Sequence, residues 1–210
     1  MSADPELLAT WTRGWARTRG APAPVRDGAS WRIDVGQPDQ IARYIFSRAD
    51  DAVSEAGARI DQPFVLLKVC AEPGRVAPLL GPRWSVNRTG WMMTGDQAMG
   101  APGPLAEGFR LAIDRDQGVT FARLMAADGE EAARGRMVVL DGRIIFDRIA
   151  TAPEHRRRGL ATWLLRRLEV DGREQGGRDG VLVATDEGRA LYATLGWTVH
   201  APYTTAAIPA

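Results

Sequence analysis

The sequence predicts an α/β (α+β) fold in which helices flank a mixed, mostly antiparallel sheet. Two Asp-Gly pairs, at 128–129 and 141–142, lie between extended segments and are typical of the tight turns that join antiparallel strands. Residues 147–169 have the pattern of a strand end, a polar turn and an amphipathic helix, and the apolar run 181–184 follows. Because a helix joins these two extended segments, we expect them to lie parallel to each other.

Composition narrows the class of protein. With 210 residues, 45% hydrophobic and 25% charged, the chain can bury the core of one large or two small domains. The net charge of +1 gives no overall basic field, which argues against nucleic acid as the main partner. The single cysteine, Cys70, leaves no internal disulfide, so we expect an intracellular, cytoplasmic protein. The histidines and the cysteine follow no metal-ligand spacing and no segment has the apolar length of a membrane span, so neither a metal nor a membrane is expected.

The first half of the chain alternates between helical and extended patterns. Asp4 is a suitable helix cap, Pro5 suits the first helical position, and apolar residues follow at helical spacing to residue 17. The Gly- and Pro-rich segment 20–28 is expected to be a loop. Strands are predicted at 31–35, 42–46, 64–70 and 91–93, and helices at 50–60 and 75–80.

The second half begins after a Gly- and Pro-rich segment at 100–104, which predicts an N-terminal half at 1–100 and a second domain at 105–210. We expect a strand at 109–113 and a turn at 114–118. Further strands are predicted at 119–126, 132–140, 143–152 and 181–184, followed by a helix at 186–195 and a last strand from 197.

The turn before the helix of the second half can bind an anion. Pro153 ends the strand, and residues 156–161 read Arg-Arg-Arg-Gly-Leu-Ala. Leu160, Leu164 and Leu168 then share one helical face. A helix start of this kind presents unpaired backbone N–H groups and the positive end of the helix dipole, glycine lets a ligand approach closely, and arginines attract phosphate. The plain alternative is an ordinary helix start with a solvated arginine run.

Two motifs resemble the GNAT superfamily of N-acetyltransferases, which use acetyl coenzyme A. Arg156-x-x-Gly159-x-Ala161 after a strand resembles the family's pyrophosphate loop, and Tyr192 followed by Gly196-Trp197 resembles its last motif. Thr185 stands where many members have asparagine, and Gly188 where they have alanine. The resemblance covers the C-terminal half and implies a GNAT fold with a parallel, splayed pair of strands at the cofactor site.

The same resemblance implies how acetyl-CoA would be held. The pyrophosphate would bind the N–H groups of Arg157 to Ala161, and the pantetheine arm would lie along the strand as an added strand would. The cofactor-binding residues expected on this basis are Ile149, Ala150, Thr151, Arg156, Arg157, Arg158, Gly159, Leu160, Ala161 and Thr162.

Two side chains are candidates for the proton transfers of acetyl transfer. Tyr192 is the candidate general acid, because a phenol with an ordinary pKa near 10 is protonated at neutral pH and can donate to a departing thiolate. Asp147 aligns with a position where many members carry a glutamate that accepts the amine proton through water. The alternatives are a tyrosine that only packs in the core and an aspartate that pairs with Arg148 or across the strand face.

The first half resembles the second in outline. The strand at 64–70 and the helix ending near Leu80 parallel the strand at 181–184 and the helix ending at Leu195, although chance likeness is an alternative. We interpret the first half as a degenerate GNAT-like half without cofactor machinery. The family places two helices where this chain has only the turn 114–118, so the first half would have to supply the wall of the acceptor pocket. Candidates to line that pocket are Trp84, Trp91, Met92, Met93 and Met99. The alternative is that these five residues belong to the ordinary core.

The resulting functional prediction is an N-acetyltransferase that moves acetyl from acetyl-CoA to a primary amine by direct attack. The acceptor would be a small molecule or a peptide, and the sequence leaves its identity, the acyl length and the assembly state, including a homodimer, open. A non-catalytic acyl-CoA-binding or regulatory module is the alternative. Nucleic-acid binding through the arginines of 156–158 is disfavoured by the near-zero net charge.

Overall fold

The computed structural model describes residues 2–209, which form two compact units. Unit 1 contains residues up to 93 together with 183–190 and the segment from 198 onward, and unit 2 contains 94–182 and 191–197. No helix within residues 2–209 is both long and apolar enough to cross a membrane.

Unit 1 contains six strands, three complete helices and residues 186–190 of a fourth helix. Its strands lie in the order β1-β2-β3-β4-β11-β5. The elements are α1 (Pro5–Thr18), β1 (Val25–Asp27), β2 (Ser30–Gln37), β3 (Gln40–Phe46), α2 (Asp51–Arg59), β4 (Val65–Val69), α3 (Pro73–Val76), a 3-10 turn (Ala77–Leu79), β5 (Ser85–Gly95) and β11 (Thr198–Ala207).

Local signals explain much of unit 1. The Asp4 carboxylate accepts the Leu7 N–H at 2.8 Å, which confirms the predicted cap of α1. Strands β3 and β4 run parallel and are joined by α2, while β11 pairs antiparallel with β4. The core between them includes Phe46, Leu67 and Trp84. Strand β1 lies inside the segment expected to be a loop, and β5 is much longer than the three residues predicted.

Unit 2 follows the predicted order closely. Its strands β6 (Phe109–Asp116), β7 (Val119–Ala126), β8 (Glu131–Leu140) and β9 (Arg143–Thr151) form an antiparallel meander. Helix α4 (Leu160–Glu174) then leads to β10 (Asp179–Ala184), which runs parallel to β9 as predicted. Helix α5 (Asp186–Thr194) follows, with residues up to 190 in unit 1 and the rest in unit 2. The mixed, mostly antiparallel fold class with a parallel pair and flanking helices is therefore confirmed.

Helix α4 packs on the meander through one apolar face. Leu164, Leu165 and Leu168 are completely buried. Gly135 on β8 lies directly beneath this face, since a Cβ added to it would lie 2.9 Å from Leu168 Cδ1 and 2.6 Å from Ile149 Cδ1. The absence of a side chain at this position lets α4 approach the sheet and fixes where its N-terminus lies relative to β9.

Candidate active site

The N-terminus of α4 is an open set of backbone donors. Gly159 is the N-cap, with a φ of 75° that glycine adopts without strain, and no side chain of the described residues caps it. The first helical hydrogen bond runs from the Trp163 N–H to the Gly159 carbonyl at 3.0 Å, so the N–H groups of Leu160, Ala161 and Thr162 precede the helical ladder. A Cβ added at Gly159 would meet no atom of residues 2–209 within 4 Å. The end of the helix therefore faces open space.

Neighbouring side chains shape this end of the helix. Arg156, Arg157 and Arg158 are all exposed. The Arg156 Nε donates to the Thr151 carbonyl at 3.5 Å, which ties the turn back to the end of β9. The Arg158 guanidinium lies 4.7 Å from the centroid of the Phe109 ring, and the His155 ring meets the same phenyl edge-on. The segment thus places positive charge around three first-turn N–H groups, an arrangement that fits a pyrophosphate.

Strand β9 leaves its neighbours at the point where the sequence predicts the pantetheine arm. Its ladder with β10 pairs Arg143 to Ile145 with Asp179 to Val181, and β9 continues to Thr151. On the other side, its register with β8 shifts between Ala150 and Asp147, and Arg148 has a φ of 52°. This is a β-bulge, which interrupts the ladder and turns backbone groups away from it. Residues Ile149, Ala150 and Thr151 therefore lie on a strand end that is splayed from β10.

The candidate acid and base lie in unit 2 and influence each other. Tyr192 is buried, with its ring centroid 5.9 Å from that of Trp197. Burial, together with the charge of Asp147, raises the pKa of the Tyr192 phenol to about 12. Asp147 is half-buried and lies directly opposite Arg136 of β8. The phenol is therefore a weaker acid than the sequence argument assumed, and it stays protonated throughout the neutral range.

The aromatic and methionine residues considered for the acceptor pocket have structural roles. Trp84 is buried in the core of unit 1 and its indole N–H donates to the Gly57 carbonyl at 3.2 Å. Met92 and Met93 are fully buried, and Met99 is buried where its N–H donates to Glu169. Trp91 is half-buried, and its indole N–H donates to Asp186 at 2.6 Å. The plain-core alternative is correct for four of these five residues.

Sequence reasoning missed two groups near the site. Phe109 supports both His155 and Arg158, a contact between residues about 50 positions apart that no local pattern reveals. Arg136 and the residues in line with it across the sheet were also missed, because their proximity to Asp147 depends on strand register.

Comparison with known protein families finds one match, which lies in the C-terminal half of the chain. Residues 106–199 match the sequence profile of the family described as "Acetyltransferase (GNAT) domain". No curated protein sequence matches the chain.

Solved structures resemble the chain over most of its length. A GCN5-related N-acetyltransferase from Kribbella flavida has a TM-score of 0.70 at 16% identity, and the alignment covers 100% of this chain and 97% of that one. A GCN5-related N-acetyltransferase from Sphaerobacter thermophilus has a TM-score of 0.58 at 14% identity, covering 85% and 76%. A tandem GNAT protein from the clavulanic acid biosynthesis pathway has a TM-score of 0.57 at 14% identity, covering 88% and 82%. At these identities the likeness establishes a shared fold.

Proposed function

We propose that the protein transfers an acetyl group from acetyl-CoA to a primary amine by direct attack. The match of residues 106–199 to the acetyltransferase (GNAT) domain family supports this proposal. The observation that carries this proposal is the uncapped N-terminus of α4, which opens at Gly159 beside three exposed arginines and the splayed end of β9. The acceptor would be a small-molecule or peptide amine. A cytoplasmic location suits the single buried thiol, Cys70.

The residues present fit the cofactor. The N–H groups of Arg157 to Ala161, with a contribution from Thr162, would bind the pyrophosphate, and the arginine side chains would add charge. The backbone of Ile149, Ala150 and Thr151 would pair with the amides of the pantetheine arm, as an added strand pairs with a sheet edge. The bulge at Arg148 would turn an N–H toward the thioester oxygen, where a donor stabilises the charge that develops during attack. Acetyl-CoA itself supplies the activated acyl carbon.

Asp147 and Tyr192 would handle the protons. Asp147 would attract the acceptor ammonium and receive its proton through water. With a pKa of about 12, Tyr192 lies about 3.5 units above an ordinary thiol, so complete proton transfer to the departing thiolate would cost about 5 kcal/mol. We therefore assign Tyr192 the role of a hydrogen-bond donor that stabilises the thiolate while it leaves.

Replacing Tyr192 with Phe tests whether the protein is an enzyme or a binding module. Removing a hydrogen bond to a charged group costs about 1.5–3 kcal/mol, so kcat for thiol release from acetyl-CoA should fall about 10- to 150-fold. The affinity for acetyl-CoA, measured by calorimetry, should stay the same. Thr194→Val on the same helix is the control, since the exposed Thr194 hydroxyl donates to the Leu191 carbonyl within the helix at 2.6 Å. An unchanged kcat in Tyr192→Phe would remove the catalytic role of this phenol.

We also propose that the first half is a GNAT-like half that has lost its cofactor site. In unit 1 the parallel strands β3 and β4 are joined by α2, as β9 and β10 are joined by α4. The tandem GNAT protein that shares the fold supports this interpretation. The N-terminus of α2, however, is occupied by its own cap, because the Asp50 carboxylate accepts the Ala52 N–H at 3.2 Å. A carboxylate at this position satisfies the donor and repels a phosphate.

A further inference from the structure

One face of the meander in unit 2 points away from α4. Gly135 on β8 faces α4, so its neighbours Arg134 and Arg136 project from the opposite face. Arg115 on β6 reaches Asp171 of α4 at 3.3 Å, and Thr120 on β7 accepts a hydrogen bond from Gln175 at 3.4 Å. Because successive side chains alternate between the faces, Asp114 and Phe121 lie on the same outward face as the two arginines.

The strand register places these outward-facing residues in two rows across the sheet, and the first row ends at the candidate base, Asp147. Asp114 lies opposite Phe121, Phe121 opposite Arg136, and Arg136 opposite Asp147. The next row toward the far end of β9 runs from Arg123 through Arg134 to Ala150. The first row therefore ends at the proposed proton acceptor, and the second ends at the backbone proposed to hold the pantetheine arm.

The members of these rows that lie on β6, β7 and β8 line an open groove of about 320 Å³, and Asp147 and Ala150 of β9 lie next to it. Strands β6 and β7 are joined by the turn at 117–118, as predicted, at the position where the family places two helices. The groove is lined by Asp114, Phe121, Ala122, Arg123, Glu131, Arg134, Gly135 and Arg136. It is large enough for a small molecule of amino-acid or dipeptide size.

The charge in the groove favours a carboxylate. Among the lining residues, three arginines accompany two carboxylates: Arg123 pairs with Asp114 at 2.6 Å, and Arg134 pairs with Glu131 at 3.1 Å. The third arginine, Arg136, lies opposite Asp147 of β9. The Arg136 guanidinium lies 5.1 Å from the centroid of the Phe121 ring. Exposed pairs of this kind contribute little stability, so an arriving carboxylate can share either of the paired arginines in a bidentate contact.

We propose that this groove is the acceptor site and that its acceptor is a primary amine that also carries a carboxylate; this rests on the proposed function. The amino group lies at Asp147 and the carboxylate at Arg134 or Arg123. With strands about 4.8 Å apart and alternate residues about 6.7 Å apart, the Cα atoms of Asp147 and Arg134 are separated by about 8 Å. Because both side chains stand on the same face, a linear amino acid that is hydrogen-bonded at each end can span this distance.

At this site the acceptor amine would attack the thioester of acetyl-CoA. The amine nitrogen bonds to the acyl carbon, and the C–S bond breaks with its electron pair on sulfur. The ammonium first gives one proton through water to Asp147 and then to solvent. After attack the nitrogen loses a second proton while the thiolate takes one up, so that one proton is released per turnover. The products are an N-acetylated amino acid and coenzyme A.

Matched pairs of amines test the proposal by binding as well as by turnover. Glycine, β-alanine, 4-aminobutyrate and 6-aminohexanoate would each be titrated by calorimetry beside methylamine, ethylamine, propylamine and pentylamine, with coenzyme A present. At the best chain length, the carboxylated member should bind at least about tenfold more tightly than its partner. Arg134→Leu or Arg123→Leu should abolish that preference, whereas Arg110→Leu, an exposed arginine outside the groove lining, should keep it.

Three results would overturn the assignment of the groove: equal binding within every pair, no binding of any carboxylated amine, or a preference that survives in both groove variants. Acetyl-CoA affinity is measured separately in each variant and should not change. If the protein binds the carboxylated amines but not acetyl-CoA, the assignment of the groove stands and the proposed transferase function is rejected. The two failures are therefore distinguishable.

Discussion

Lys68, the only lysine of the chain, is held in a place that disfavours its charge. It lies on β4 between β3 and β11, and its Nζ donates to the Thr205 hydroxyl at 2.6 Å. Burial, assisted by the charges of Arg43 and Arg19, lowers the pKa of the amine from 10.5 to about 7. Folding of unit 1 therefore costs free energy at every pH at which Lys68 is protonated in the unfolded chain.

The size of that cost follows from the two pKa values. Because the pKa is lower in the folded state, the unfolded chain binds more protons between pH 7 and 10.5, and the free energy of unfolding rises with pH in this window. At 1.36 kcal/mol per pKa unit, the cost is about 4 kcal/mol at pH 7 and about 2 kcal/mol at pH 9.

Lys68→Met removes the charge and keeps the length of the side chain. After about 1 kcal/mol is subtracted for the lost hydrogen bond to Thr205, the variant should be more stable than the parent by about 3 kcal/mol at pH 7 and about 1 kcal/mol at pH 9. Urea unfolding at the two pH values measures both differences. Comparing variant with parent at each pH removes the titration of every other group from the result.

Arg75→Met, at an exposed position of unit 1, is the control and should show no dependence on pH. The pKa itself can be read by NMR, because a single lysine gives a single side-chain amine signal after ¹³C-methylation, apart from that of the N-terminus. A midpoint near 10.5, or an equal stabilisation by Lys68→Met at pH 7 and pH 9, would refute the reasoning.

Two further predictions concern unit 2. Glu169 is buried and accepts the Met99 N–H at 2.7 Å and the Arg173 guanidinium at 2.9 Å, so Glu169→Ala should lower the free energy of unfolding by about 2 kcal/mol in urea. Arg173→Ala should cost less because that side chain reaches solvent; equal costs would contradict this account. Gly135→Val should cost about 1–3 kcal/mol by pushing α4 from the sheet, whereas Gly103→Val, where an added Cβ meets nothing among the described atoms, should leave the melting temperature nearly unchanged. Equal melting temperatures of the two valine variants would argue against this close contact.

The parts of the fold that the sequence predicted are those with local signals. The Asp-Gly turns, the cap at Asp4 and the change from strand to helix around Gly159 each depend on a few adjacent residues. The pairing of β11 with β4 in unit 1 depends on residues more than 130 positions apart, such as Thr205 and Lys68, and no local pattern encodes it.

The features of the candidate site likewise include some with a local sequence signal and some without one. The turn proposed to bind the pyrophosphate could be recognised from its arginines and glycine, because the open N–H groups belong to its own backbone. The bulge at Arg148, the raised pKa of Tyr192 and the row from Asp114 to Asp147 could not, since each arises from register and packing between separate elements. The sequence also could not distinguish core from pocket at Trp84, Met92, Met93 and Met99, which are buried, because large apolar residues have the same sequence pattern in both.

The central claim, that the α4 N-terminus binds acetyl-CoA, is tested most directly by calorimetric titration of acetyl-CoA into the parent protein and two Gly159 variants. Gly159→Ala adds only a methyl group in open space, at a backbone cost of about 1–2 kcal/mol for the left-handed conformation, and should still bind. Gly159→Glu places a carboxylate where the pyrophosphate would lie and should abolish binding. Binding by the parent and by Gly159→Ala, with loss in Gly159→Glu, is the result we predict. No binding by a cooperatively folded parent protein, or equal binding by Gly159→Glu, would contradict the claim.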